Sequence, residues 1–104
     1  MKASQPHDEP GVEMLTADPE MADVYLATAL EEANLPGGQF ALLAALRHIA
    51  EAQGMANVAE KAGMPRESLY RALSPRGNPT IKTLLAVLAA SGLQLGVTRT
   101  EQHA

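Results

Sequence analysis

The sequence predicts a small all-α domain: an N-terminal helix, a four-helix core in which two short helices meet at a glycine, and a short C-terminal β-strand. Three observations predict it. Apolar residues recur at i, i+3, i+4 spacing along most of the chain between Ala22 and Leu88, the period of an amphipathic helix. Glycines and prolines cut that pattern into helix-sized pieces. Leu93, Leu95 and Val97 then alternate with Gln94, Gly96 and Thr98, the period of a half-buried strand. At 104 residues the chain can bury one core of ordinary size and not two.

Residues 1–17 hold two prolines, a glycine and scattered acids without a period, and read as a flexible tail. An acidic helix and linker follow over residues 18–37. Asp18-Pro19 is a start signal, because aspartate caps and proline costs no hydrogen bond in the first turn. Ala22, Tyr25, Leu26, Ala29, Leu30 and Ala33 form one stripe, and Asn34-Leu35-Pro36-Gly37-Gly38 stops it. Residues 38–98 form the main domain. Its first helix spans Gln39 to Gln53, with Phe40, Leu42, Leu43, Leu46, Ile49 and Ala50 apolar and Gly54 as terminator. Short helices follow over 56–62 and 66–73, parted by Gly63-Met64-Pro65. Ser74 to Pro79 is dense in turn formers. Asn78-Pro79 repeats the cap-then-proline signal before a helix marked by Ile81, Leu84, Leu85 and Leu88 and closed by Gly92. The strand over Leu93–Val97 must lie against the helices or pair with a copy of itself. Residues 99–104 are a tail.

Composition excludes several classes. The absence of cysteine removes disulfide scaffolds, thiolate zinc sites and cysteine nucleophiles. No apolar run is long enough to span a membrane, and the N-terminus lacks the apolar stretch of a secretory signal, so the expected location is cytoplasmic. His7, His48 and His103 have no ligand spacing, so no metal is expected. Gly37-Gly38-Gln39 matches a release-factor tripeptide, but three residues between two helices carry little weight. Glu31 and Glu32 are adjacent on a helix with no matched base, and read as a solvated helix end. Neither a catalytic set nor a cofactor site emerges, and no enzyme activity is expected.

The formal net charge of −4 hides a split. Residues 1–37 carry Lys2 against eight acids, a net of −7, whereas residues 38–104 carry seven bases against four acids, a net of +3. From Lys61 to Lys82 there are five bases and one acid. Such asymmetry suits a nucleic-acid-facing part joined to an acidic part.

The segment from Met55 to Ser74 coincides with that positive excess. At about 100° per residue, Arg66, Glu67, Tyr70, Arg71 and Ser74 fall within an arc of about 140°, and Ser68, Leu69, Ala72 and Leu73 take the other side. Val58, Ala59 and Ala62 share a face in the preceding helix. Ala59 is small where two helices would cross, and Gly63 suits a left-handed turn. Met64, Leu69 and Ala72 face a platform. This is the arrangement of a helix-turn-helix, whose second helix enters the major groove of double-stranded DNA. Pro65 starts that helix; Arg66 and Arg71 suit guanine edges or phosphates; Tyr70 and Ser74 suit phosphates or bases. Glu67 either accepts from a cytosine amino group or balances an arginine. Arg76 and Lys82 touch the phosphate backbone or nothing.

The pattern resembles the helix-turn-helix of the lambda-repressor-like (XRE) family. The run from Ala62 to Thr80, containing Ser-Leu-Tyr-Arg-Ala-Leu-Ser-Pro-Arg-Gly-Asn-Pro, and the run Leu84 to Leu95 resemble the addiction-module antidote proteins of the HigA type, as does Tyr25–Ala33. The resemblance covers about residues 18–98. It implies a bacterial antitoxin, dimeric on DNA, that represses its own operon and neutralises a RelE/HigB-like ribonuclease toxin. Two departures stand out: Pro65 and Ala56 occupy positions where the family usually has a capping serine or threonine.

Alternatives remain open at this level. The chain could be a stand-alone repressor of prophage type without a toxin, or an interaction module that has lost DNA binding. The acidic residues 1–37 either dock a basic toxin or keep a supporting helix solvated. The homodimer expected from operator geometry forms through Leu93–Val97 or through the N-terminal helix.

Overall fold

A computed structural model describes residues 20–100, which form five helices: α1 Met21–Glu31, α2 Gly38–Gln53, α3 Met55–Ala62, α4 Arg66–Ala72 and α5 Ile81–Ala90. The tail over 1–17, the Asp18-Pro19 start and most of the C-terminal tail lie outside the described residues.

The α1 stripe buries Ala22, Leu26 and Ala29 against α2, while Tyr25 donates to or accepts from Nδ1 of the buried His48 at 2.8 Å and stacks on its ring. Gly37, at φ 78°, turns the chain, and a Cβ on Gly38 would overlap the carbonyl oxygen of Glu32. The start of α2 therefore abuts the end of α1 as only glycine allows. Two layers meet in one core. Leu46 and Ile49 of α2, Val58 of α3, Leu69 and Leu73 around α4, and Val87 and Thr83 of α5 are fully buried. Burying a side chain such as Leu69 stabilises the fold by about 2 kcal/mol. The packing pairs are α1 on α2, α3 on α4 and α5, and α2 on α3 and α5.

Three local expectations are corrected. The cap of α5 is Thr80 rather than Asn78: its Oγ1 accepts from the backbone N–H of Thr83 at 3.1 Å. Threonine at that site has the extended backbone and the acceptor that a cap needs, so the helix begins after Pro79 instead of at it. Gly54 flanks α3, so Ala56 lies inside the first turn and is no cap position. Leu93–Val97 forms no strand. After Gly92 at φ 74°, Leu93 donates to Leu88 O at 2.8 Å and closes α5, and the segment then runs without regular structure among the described residues. A strand needs a neighbour for its ladder, and the single chain supplies none.

Periodicity also misassigned some burial. Phe40 and Ile81 belong to the apolar patterns of their helices but are 60% and 69% exposed. Leu30 is exposed on α1 as well. No helix among the described residues is long and apolar enough to cross a membrane.

Candidate nucleic-acid interface

The turn between α3 and α4 is built from Gly63, Met64 and Pro65. Gly63 takes the left-handed conformation, φ 70° and ψ 37°, and the N–H of Met64 reaches back to Ala59 O at 3.0 Å. That bond closes α3 as a glycine terminator does. Met64 is then tied to α5, since Thr83 Oγ1 donates toward its sulfur at 4.0 Å. Pro65, with extended ψ of 151°, leads into α4 and makes no side-chain cap, as its chemistry dictates. Its carbonyl accepts from Leu69 N at 3.1 Å and starts the helix.

The two faces of α4 separate as the helical wheel expects. Leu69 and the following Leu73 are fully buried, Ala72 and Met64 are half-buried, and Ala59 is buried on α3. Arg66, Glu67 and Arg71 are exposed, and Arg76 is exposed in the loop that follows. Tyr70 is half-buried and packs against the core, so only part of its ring borders the exposed arc. Ser74 is more constrained than its place on the wheel suggests. Its hydroxyl donates to Arg71 O at 2.8 Å, which uses its only proton and leaves it an acceptor. Arg71 Nη2 donates to Ser68 Oγ at 3.4 Å, a long exposed bond that leaves most of the guanidinium available.

Lys82 stands beside the turn. Its ammonium nitrogen lies 3.3 Å from where a Cβ on Gly63 would stand, which brings a positive charge to the C-terminal end of α3. Arg66, Arg71 and Arg76 thus belong to α4 and the loop that follows it, and Lys82 of α5 approaches the turn that precedes α4.

One structural tie at the site escaped sequence reasoning. Arg47 of α2 donates from Nη1 to the carbonyl of Leu73 at 3.0 Å, across to the last turn of α4. It satisfies a helix-end carbonyl that has no partner inside the helix. A signal was present: Arg47 is the first base after Lys2 and sits between Leu46 and His48 on a helix that is otherwise largely apolar. A half-buried arginine needs a partner. Gly77 closes the other side, because a Cβ there would overlap the carbonyl oxygen of Ala72. The loop after α4 is thereby folded against the helix end. Among the described residues no group of His, Asp and Glu is placed to hold a metal ion.

Comparison with known proteins gives a concordant family. A family model described as "Probable addiction module antidote protein" matches residues 11–99. An uncharacterized protein of Haemophilus influenzae is 42% identical over 85 residues, 82% of this chain and 82% of its own. No solved structure matches the chain.

Proposed function

We propose that this chain, which belongs to the family of probable addiction module antidote proteins, is a DNA-binding antitoxin that acts as a homodimer. In this reading α3 and α4 are a helix-turn-helix of the XRE type, with α4 in the major groove of an operator upstream of its own gene. Membership of an antidote family implies a cognate toxin, and the proposal assigns that toxin to the RelE/HigB-like ribonucleases.

The observation that carries the DNA-binding reading is the division of α4 into a buried Leu69 side and an exposed Arg66–Arg71 side, delivered by a left-handed glycine turn. A helix presented this way offers two guanidinium groups on its exposed arc, the side chains best suited to guanine edges and phosphates. Pro65 fits close approach of the helix start, and Ser74 as an acceptor fits a base amino group better than a phosphate. Glu67 suits a cytosine amino group; Arg76 and Lys82 flank α4 and suit the phosphate backbone.

The test is fluorescence anisotropy with duplex DNA spanning the promoter of its own gene. Arg66→Ala and Arg71→Ala should each weaken binding by about 1–3 kcal/mol and relax base preference at one position. Arg76→Ala should weaken all sequences alike and lower the salt slope by about 1. Saturable binding that is indifferent to all three substitutions would remove α4 from the interface.

A further inference from the structure

A groove of about 270 Å³ runs between α1 and the segment that follows α5. Its apolar walls are Leu26 and Leu30 of α1, Leu88 of α5, and Leu93 and Leu95 beyond it, and Asp23 lines it as well. Glu20 has helical backbone angles and continues α1 by one residue. At about 100° per residue, Glu20, Asp23, Val24, Ala27, Leu30 and Glu31 fall within an arc of about 120°. All six are exposed, and the chain has no base between Lys2 and Arg47. The groove-facing side of α1 is therefore apolar and acidic at once.

The opposite wall is an unfinished ladder. Leu93 donates to Leu88 O at 2.8 Å and anchors the segment to α5. From Gln94 to Thr98 no backbone group bonds to another backbone group among the described residues. Leu95 and Val97 alternate there with Gln94, Gly96 and Thr98, and no charge interrupts them. That is the makeup of an edge strand without its neighbour. A second apolar groove, between α2 and α5, is lined by Leu42, Leu46, Ile81 and Leu84. Among the described residues its walls include no Asp, Glu, Lys or Arg and no part of that segment.

We infer that the groove beside α1 receives the toxin that an antidote family implies: a strand of the toxin pairs with Gln94–Thr98, and its basic side chains meet Glu20, Asp23 and Glu31. The assignment deepens the antitoxin reading and rests on it. Charge selects the occupant. An arc with three acids and no base attracts a basic protein surface and repels DNA. A second copy paired there about a two-fold axis would turn the same acids toward one another. Backbone pairing supplies affinity without requiring particular partner side chains, and the leucines of the groove take an apolar anchor. None of Arg66, Arg71, Arg76 and Lys82 lines the groove, and α1 packs on α2 whereas α4 packs on α3. Toxin and operator thus claim different residues.

The experiment is biolayer interferometry of the full chain, without DNA, against the proteins encoded by the reading frames on either side of its own. The wild type should bind one of them. Asp23→Lys/Glu31→Lys should slow association at least about tenfold at low salt, with the difference shrinking as salt rises. Gly96→Pro/Val97→Pro should speed dissociation at least about tenfold. Neighbouring strand residues direct their N–H groups to opposite edges, so this pair removes a donor from whichever edge the toxin meets. Both positions are exposed, and an unchanged urea midpoint shows that the unbound chain keeps its fold. Ile81→Asp, in the α2–α5 groove, should leave both rates unchanged. Amide hydrogen exchange at Gln94–Thr98 should slow in the complex and stay fast in the unbound chain at every concentration. Binding with either double variant without effect would overturn the inference and leave the antitoxin reading standing. So would loss of binding in Ile81→Asp, or exchange at Gln94–Thr98 that is not slowed by the bound partner. Protection of those amides that grows with concentration of the unbound chain would give the edge to a second copy instead. No binding by the wild type would remove the antitoxin reading itself, and this site with it.

Discussion

The unit of α3, turn, α4 and following loop is held at every joint, whereas the end of the molecule formed by α1 and the C-terminal segment is held along one stripe. Around α4 the chain is fixed by the left-handed Gly63, by Thr83 reaching Met64, by Arg47 on the Leu73 carbonyl and by the close fit of Gly77. At the other end, α1 rests on Ala22, Leu26 and Ala29 with the Tyr25–His48 contact, and the chain beyond Leu93 has exposed apolar side chains such as Val97, 99% accessible. The first unit is basic on its surface and the second acidic. If α4 meets DNA as proposed, a surface matched to a rigid double helix needs its side chains placed to within fractions of an ångström, and cross-ties supply that. A surface that keeps a helix solvated, or meets an adaptable protein partner, does not.

Four variants break or sharpen this contrast, beyond the arginine substitutions above. Leu69→Ala removes the buried side of α4 and should cost about 3 kcal/mol in urea denaturation, taking DNA binding with it. Arg47→Ala leaves the Leu73 carbonyl without its charged donor and should cost about 1–2 kcal/mol. On the proposed DNA-binding reading, operator affinity should fall with it while the salt slope stays as in wild type, as expected if Arg47 acts by ordering the helix end. A reduced slope would instead make Arg47 a direct contact. Thr80→Ala removes the cap of α5 and should cost about 1 kcal/mol, read as a lower thermal midpoint. Glu31→Lys/Glu32→Lys, on the loosely held side, should change stability by no more than about 0.5 kcal/mol. If α1 docks a basic toxin, the same pair should slow toxin association at low salt; an unchanged rate, together with an unchanged rate after removal of residues 1–17, would leave α1 as a support only.

How far each part was legible follows from how local its causes are. The five helices, the glycine at the turn and the two faces of α4 depend on the identity and spacing of neighbouring residues, and all could be read along the chain. The cap of α5 was displaced from Asn78 to Thr80 because two adjacent signals compete, and side-chain geometry chooses between them. Ser74 looked available for phosphate from its place on the wheel, yet its hydroxyl turns back onto Arg71 O. Phe40 and Ile81 fit the helical period and still face solvent, because periodicity states which residues share a side and not whether anything covers that side. The expected strand failed for the same reason: alternation proposes a strand, and only a neighbouring strand completes it.

Sequence by itself determined the five helices, the place of the turn, the basic excess around α4 and the acidic excess around α1, since these follow from backbone preference, helical spacing and charge counts. Tertiary structure alone decided that Arg47 reaches the end of α4 from 26 residues away, that Lys82 stands beside Gly63, and that one apolar groove is neutral while the other is lined by acid. Those facts depend on how separate helices pack. Packing is set by the whole core at once, through side-chain volumes and partners that no local window of sequence contains.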